Sequence, residues 1–356
     1  MKITRVTTHH HRTDFTYGAA AGGVGGNLHL RAMDTLLVRV ETDIGIHGWG
    51  EGFGFTLAET TRDAVDRLIG PACIGQDARD IAGLMRMLAR RFHNFGRNGP
   101  VTFGLSAIDI ALWDIRARAE GKPLHALLGA AARREVPAYA SLLRYGEPAD
   151  VARNVTGALS RGYRHIKLHE VDLRCIRAAH EAAPGVPLML DINCAWDTED
   201  QAVLFCEDVA GLGAAWVEEP IWPPEDIPAI ARIRAASPVH IAAGECNGSV
   251  EDFCRMFEMR AVDVAQPSVT KIGGLSAMLE IAELAREAQV RLVPHCPYFG
   301  PGLLATLHFL AAAEEAEPIE IYFADLEHAP YGDALAPRGG VIPVPEAPGL
   351  GYEPLL

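Results

Sequence analysis

The chain has 356 residues, 49% of them hydrophobic, and its 32 basic and 46 acidic residues give a formal net charge of −14. This length exceeds a usual single domain of about 100–200 residues, so it predicts one large barrel with an appendage or two domains. The acidic balance argues against nucleic acids and anionic membranes as partners. It does not exclude an anionic small molecule, because a bound metal ion can reverse the local field.

The seven cysteines are scattered and form no C-x-x-C pair, which is typical of reduced thiols in a cytoplasmic protein. Residues 1–15 contain no apolar segment of the kind found in signal peptides. No apolar run approaches the roughly 20 residues that span a bilayer. We therefore expect a cytoplasmic protein without a membrane span.

The first 127 residues predict an α+β domain. Strands are predicted at 2–7, 35–41 and 48–51, and helices at 57–70, 77–94 and 102–120. Between the first two strands lies the Gly- and Ala-rich segment YGAAAGGVGGN. Such a composition predicts a mobile loop, either a plain connection or a lid over a ligand.

From about residue 136 onward, short apolar runs alternate with amphipathic stretches. The eight runs are 136–142, 165–169, 188–193, 215–220, 240–245, 262–267, 290–295 and 319–325. This alternation predicts parallel βαβ units over 133–325, and eight strands predict a closed (β/α) barrel. Periodicity alone does not separate a barrel from an open doubly wound sheet. The Pro- and Gly-rich residues 326–356 are expected to return to the N-terminal domain.

Three acidic residues lie at or near the ends of three consecutive predicted strands. Asp191, Glu218 and Glu245 are spaced 27 residues apart, and parallel strand ends converge on one face of a barrel. Oxygen-only ligands suit Mg²⁺, although three unrelated surface acids would give the same pattern. Asn193 is predicted to lie on the same face of the strand as Asp191. There it could donate a hydrogen bond to the metal ligands, or it could only cap the loop. Glu219 is predicted to point away from the site.

Candidate bases occur on the second and seventh predicted strands. Lys167 and His169 are two residues apart, so both should face the barrel mouth. His295 ends the seventh strand, on the opposite side. Each residue could also have a purely structural role. Lys167 could form ion pairs with the acids and nothing more, and His295 could be a buried histidine whose hydrogen bonds are satisfied.

The barrel motifs resemble those of the mandelate racemase group in the enolase superfamily. They are Lys167-Leu-His169, Asp191-Ile-Asn193, Glu218-Glu219-Pro220, Gly244-Glu245, Lys271-Ile-Gly-Gly274 and His295, preceded by GWGE at 48–51 and SAIDIALWDIRAR at 106–118. The resemblance covers nearly the whole chain, and the ordered set is specific although each motif alone is weak.

The resemblance implies an α/β fold, a modified TIM (β/α) barrel with an α+β capping domain. It also implies Mg²⁺ bound by Asp191, Glu218 and Glu245, and removal of the proton next to a substrate carboxylate through an enediolate. A substrate lid near 17–29, including Tyr17 and His29, and a homo-oligomer, often an octamer in relatives, are further implications.

Two positions depart from the family pattern. His169 replaces the second Lys of K-x-K, and Ser268 stands where the late His usually has an Asp partner, or where other groups place a Lys. We therefore expect His295 to lack the acceptor that would orient it. Lys271 is expected to be structural or to contact the metal carboxylates. Glu320 is either an acid that protonates the enediolate or a solvent-exposed residue.

These features favour dehydration of a sugar acid or other hydroxy acid, because the two faces carry unlike bases. Racemisation, epimerisation or cycloisomerisation at the same site is the nearest alternative. A non-catalytic ligand-binding homologue, and an aldolase that uses Lys167 as a Schiff base, are alternatives of other classes.

Overall fold

The computed structural model describes residues 1–18, 31–129 and 133–356. Most of the predicted lid segment near 17–29, His29 included, lies outside the described residues. The described part combines an antiparallel sheet covered by helices with a parallel sheet whose strands alternate with helices. None of the helices within these ranges has the length and apolar character needed to cross a membrane.

Three N-terminal strands form most of the antiparallel sheet, and a short strand of the C-terminal tail completes it. The three N-terminal strands are β1 (Ile3–Thr16), β2 (Ala32–Thr42) and β3 (His47–Gly52). The prediction of a first strand over 2–7 was too short, because β1 continues to Thr16. Its polar run from His9 to Asp14 does not look like a strand by composition. However, β1 pairs with β2 as far as Asp14, and this pairing satisfies its backbone.

The described N-terminal part contains five α-helices, of which the first, second and fourth pack on the strands of this sheet. The five helices are α1 (Ala58–Ala64), α2 (Gly70–Cys73), α3 (Ile81–Arg91), α4 (Pro100–Ala119) and α5 (His125–Leu128), with a π-helical turn at Val65–Ile69. Helix α4 lies against β3 at very short range, because a Cβ atom at Gly50 would collide with the carbonyl oxygen of Ala107. The GWGE motif therefore reflects close packing between a strand and a helix.

Each of the eight predicted apolar runs overlaps a strand of the parallel sheet. The strands are β4 (Glu135–Leu142), β5 (Ile166–Leu168), β6 (Leu188–Asp191), β7 (Ala214–Glu218), β8 (His240–Ala243), β9 (Val264–Ala265), β10 (Arg291–Leu292) and β11 (Ile319–Tyr322). Strands β4 to β10 follow one another in sequence order, and β11 pairs with β4. This order confirms the predicted barrel with a capping layer.

One helix follows each of the first seven barrel strands. They are α6 (Pro148–Ser160), α7 (Leu173–Ala182), α8 (Glu199–Ala210), α9 (Ile227–Ala236), α10 (Val250–Glu258), α11 (Leu275–Ala288) and α12 (Pro301–Ala312). Inside the barrel, buried apolar side chains pack into one cluster, namely Tyr139, Met189, Trp216, Ala242, Val264 and Val293. This cluster fills the interior, so polar inward-facing residues gather at the carboxyl ends of the strands.

The C-terminal tail contacts both parts of the molecule. Strand β12 (Asp325–Glu327) pairs with β1, and β13 (Val341–Pro343) pairs with β4. Near the end of the chain, Glu353 accepts hydrogen bonds from Trp49 Nε1 at 2.6 Å and Arg118 Nη1 at 2.5 Å. The tail thus bonds to the GWGE strand and to helix α4.

Candidate active site

The three candidate metal ligands meet at the carboxyl ends of neighbouring strands. Asp191 is the last residue of β6, Glu218 is the last residue of β7, and Glu245 lies two residues beyond β8. One carboxylate oxygen from each of the three lies within 4.8 Å of the other two. The structure therefore brings together three acids that the sequence only placed at equal spacing.

Lys167 lies at the centre of this acidic group and is fully buried. Its Nζ is 2.6 Å from Glu218 Oε1, 2.9 Å from Asp191 Oδ2 and 3.3 Å from Glu320 Oε1. Burial alone would lower the pKa of Lys167, but the three carboxylates outweigh burial and raise the pKa well above its ordinary value. The side chain is therefore an ammonium ion in this site.

His169 follows strand β5 and lies beside Asp191, the acidic residue at the end of β6. Its Nδ1 lies 2.7 Å from the carbonyl oxygen of Leu142, to which it donates a hydrogen bond. This bond fixes the ring, so that Nε2 points into the site and lies 3.2 Å from Asp191 Oδ2. The histidine that replaces the usual lysine is thus held in one orientation.

His295 occupies the opposite side, with Nε2 at 2.8 Å from Glu245 Oε2. Its Nδ1 lies 3.1 Å from the Ser268 hydroxyl, which also contacts the hydroxyl of Tyr298. The expectation that His295 lacks an orienting partner was therefore wrong, because a serine hydroxyl backed by a tyrosine replaces the usual carboxylate. Sequence reasoning did not identify Tyr298, which lies in the loop just after His295.

Glu320 is buried, which excludes the solvent-exposed interpretation. It accepts hydrogen bonds from Ser141 Oγ at 2.8 Å and from the Cys296 backbone N–H at 2.9 Å. Because Cys296 follows His295, this carboxylate links the end of the seventh barrel strand to the eighth. Lys271 lies on the Glu245 side, with Nζ 3.6 Å from Glu245 Oε1. It also lies 4.5 Å from the centre of the Phe53 ring.

The residues after Asp191 and Glu218 depart from strand geometry. Asn193 has φ 48°, yet its backbone N–H and Nδ2 donate to Asp191 Oδ1 at 3.0 and 2.8 Å. Glu219 also has φ 48° and lies with Glu245 and Cys246 in a compact group. The prediction that Glu219 points away was wrong, because side-chain alternation ends where the backbone becomes left-handed.

The donor set fits a hard divalent cation. Five carboxyl groups meet here against two lysines, and the five are Asp191, Glu218, Glu219, Glu245 and Glu320. Burial raises the pKa of Glu218 to about 8 even though Lys167 opposes that change. A divalent cation would relieve this excess of negative charge, and an all-oxygen set of three carboxylates is suited to Mg²⁺.

Of the two side chains predicted to belong to the lid, Tyr17 and His29, the described ranges include only Tyr17. It is partly buried, and its ring centre lies 6.0 Å from that of Tyr145 and 6.4 Å from that of Phe15. It packs against an apolar cluster that contains Leu143 and Tyr322, which lie at the carboxyl ends of β4 and β11. Tyr17 therefore lies at the face of the barrel that carries the acids.

Comparison with known proteins gives matches over nearly the full length. Residues 29–129 match the N-terminal domain of mandelate racemase and muconate lactonizing enzyme, and residues 150–355 match the enolase C-terminal domain-like family. D-galactarolactone cycloisomerase of Agrobacterium fabrum is 35% identical, over 99% of this chain and 96% of the relative. D-galactonate dehydratase of Ralstonia nicotianae is 30% identical, over 99% and 92%.

Solved structures agree with these matches. A racemase from Streptomyces coelicolor A3(2) with bound magnesium superimposes with a TM-score of 0.87 at 28% identity, covering 98% of this chain and 96% of that chain. The 3,6-anhydro-D-galactonate cycloisomerase from Zobellia galactanivorans gives 0.83 at 27% identity, covering 99% and 96%. This chain therefore belongs to the mandelate racemase and muconate lactonizing enzyme family of the enolase superfamily.

Proposed function

We propose that this enzyme is a Mg²⁺-dependent dehydratase of a sugar acid. The observation that carries the proposal is the placement of two imidazoles on opposite sides of the acidic group, His169 beside Asp191 and His295 beside Glu245. Such a pair can remove a proton from one carbon and deliver a proton to a leaving group on the next. Relatives named as galactonate and arabinonate dehydratases support the same reaction class.

Asp191, Glu218 and Glu245 would hold the Mg²⁺. Bound to the substrate carboxylate, the ion would stabilise the negative charge that develops when the neighbouring proton leaves. Around these ligands, neutral donors fix the carboxylate geometry. Gln266 Nε2 donates to Glu218 Oε2 at 2.8 Å, and Asn193 donates to Asp191 as described.

Lys167 supplies positive charge in this scheme and does not serve as the base. Its three carboxylate neighbours hold its proton, so an imidazole takes the proton from the carbon next to the carboxylate. The C–H electrons form a carbon–carbon double bond, and the β-hydroxyl leaves as water with a proton from the opposite group. The resulting enol takes up a proton at the β-carbon and releases the proton of its hydroxyl to solvent, which gives a 2-keto acid.

The two imidazoles have different hydrogen-bond partners, and this difference favours elimination in one direction over racemisation. His169 donates to a backbone carbonyl, whereas His295 bonds to a hydroxyl that itself contacts a tyrosine. A racemase needs two bases of matched strength, since each must act as acid and as base in turn.

Cycloisomerisation is the second candidate, because a relative that is 35% identical is named as a D-galactarolactone cycloisomerase. In that reaction the departing oxygen belongs to a ring, so after its C–O bond breaks it stays attached to the product through its second bond. The product therefore keeps every atom of the substrate.

The test uses Mg²⁺-loaded enzyme in D₂O with galactonate, arabinonate and galactarolactone. Formation of a 2-keto acid with loss of water supports dehydration, whereas a product of unchanged mass identifies cycloisomerisation. Deuterium incorporation without either product indicates racemisation or epimerisation. Ligand-induced stabilisation without deuterium exchange for any acid would overturn the catalytic assignment in favour of a binding protein.

Substitution of the imidazoles assigns their roles. We expect His169→Asn and His295→Asn each to lower turnover by a factor of about 10² or more. His240→Asn serves as the control, because this exposed histidine begins β8 at the opposite end of the barrel. If both site variants retain the activity of the His240→Asn protein, the assignment of the bases is wrong. Trapping of a Schiff base by borohydride would instead support the aldolase alternative.

A further inference from the structure

A second group of potential metal ligands lies beside the Mg²⁺ ligands and shares one residue with them. Glu219, Glu245 and Cys246 each offer one ligand atom, and these three atoms lie within 4.8 Å of one another. The proposed reaction uses neither Glu219 nor the Cys246 thiol. Their proximity therefore calls for a separate explanation.

Glu219 is the residue that indicates a ligand. Its side chain is 5% exposed, and its Oε1 has no hydrogen-bond partner among the residues that the structure describes. Its carboxylate otherwise meets two thiols, that of Cys194, whose Sγ lies 3.7 Å from Oε2, and that of Cys246. A buried carboxylate oxygen without a partner costs free energy, and native proteins rarely leave such an atom unpaired without a function. A cation placed among these three residues would bind that oxygen.

The chemistry of the donors differs from that of the Asp191, Glu218 and Glu245 group. Carboxylate oxygens alone suit Mg²⁺, whereas a cysteine thiolate prefers softer ions such as Zn²⁺, Co²⁺ or Cd²⁺. Three protein ligands that include one sulfur leave a coordination position open for solvent, as in other mixed zinc sites. The two overlapping ligand groups are therefore chemically selective for different cations.

We propose that Glu219, Glu245 and Cys246 form a second site, specific for a thiophilic divalent cation of the Zn²⁺ class. When the ion binds, the Cys246 S–H bond breaks, its proton passes to the buffer, and the sulfur lone pair forms the metal–sulfur bond. The proposal depends neither on the substrate nor on the reaction. It concerns the protein without substrate.

Sharing of Glu245 makes the two sites antagonistic. An ion in the thiol site withdraws Glu245 from the group that it forms with Asp191 and Glu218. By linkage, each cation then weakens the binding of the other by the same factor. Zn²⁺ should accordingly inhibit the Mg²⁺-loaded enzyme, and excess Mg²⁺ should reverse that inhibition.

Cobalt is the probe for the first experiment. Co²⁺ is titrated into chelator-treated, substrate-free enzyme, and the thiolate-to-cobalt charge-transfer band in the near ultraviolet is recorded. We expect the band in the wild type, its loss in Cys246→Ser, and an affinity at least tenfold weaker in Glu219→Gln. Cys254→Ser, which removes a partly exposed thiol on α10, is the matched control and should keep the band.

A second measurement needs no variant and covers the case in which Cys246→Ser does not fold. X-ray absorption of the Zn²⁺-loaded wild type should show a sulfur neighbour at about 2.3 Å. A Zn²⁺ shell of oxygen and nitrogen alone, or a cobalt band of equal strength in Cys246→Ser, overturns the proposal. Neither result bears on the dehydratase assignment, because no substrate or turnover is involved.

Discussion

Glu51 offers a sharp test of how burial controls the docking of the two parts of the molecule. It lies on β3 of the antiparallel sheet, is almost fully buried, and accepts a hydrogen bond at 2.7 Å from the backbone N–H of Gly302 in the first turn of α12. Burial raises the pKa of Glu51 from 4.5 to about 8, although the hydrogen bonds from the helix N-terminus oppose that rise.

The size and the direction of the change in folding stability with pH follow from these two pKa values. The folded protein keeps the proton on Glu51 up to about pH 8, whereas the unfolded chain releases it near 4.5. The stabilising contribution is therefore complete below pH 4.5, falls progressively as pH rises toward 8, and is gone above about pH 8. Since a tenfold change in proton affinity corresponds to about 1.4 kcal/mol, the loss amounts to about 5 kcal/mol.

The substitution Glu51→Gln keeps the shape and the acceptor oxygen but removes the titration. Urea unfolding of both proteins between about pH 5 and pH 8.5 should show the variant gaining stability over the wild type as pH rises, by at most about 1.4 kcal/mol per pH unit. Glu41→Gln, at a partly exposed acid on β2, is the control. A difference between Glu51→Gln and wild type that stays constant across this range would refute the reasoning.

Three further predictions concern other buried polar groups. Asp109→Ala should lower the free energy of unfolding by about 2–3 kcal/mol in urea titrations, since Asp109 accepts bonds from Ser276 N and Oγ at 2.9 and 2.6 Å. Lys167→Met should lower the free energy of unfolding of the metal-free protein by about 3–5 kcal/mol. Added Mg²⁺ should then raise the melting temperature of this variant by more than it raises that of the wild type. Tyr298→Phe should lower kcat by roughly 10–100-fold with little change in KM, because it leaves the Ser268 hydroxyl without its neighbour.

Features with a short sequence period or a fixed spacing could be predicted from the sequence. Each of the eight parallel strands overlaps one of the apolar runs, because strand and helix periodicities are local. Asp191, Glu218 and Glu245 meet because parallel strand ends converge, which is a property of the fold as a whole. Strand β1 was predicted too short because pairing partners, and not its polar sequence, hold its second half in the sheet.

The residues whose positions were predicted wrongly lie in loops, where the hydrophobic periodicity of strands and helices gives no information. Glu219 enters the site because a single left-handed residue ends the alternation of the strand, and no local sequence signal marks that φ value. Ser268 and Tyr298 lie 30 residues apart and meet only when the loops after β9 and β10 are folded. The serine at position 268 therefore indicated that His295 lacks the usual carboxylate partner, but it did not indicate which groups replace that partner.

The capping layer also positions the side of the site that carries His295. Asp109 bonds to the first turn of α11, and Glu51 bonds to the first turn of α12. These helices begin directly after the two loops that supply Ser268 and His295. Each acid satisfies N–H groups that a helix leaves free at its start, so it anchors the end of one of these loops to a layer outside the barrel. Loss of Asp109 should therefore slow proton exchange that depends on His295 more than exchange that depends on His169, whose support is a carbonyl within the barrel.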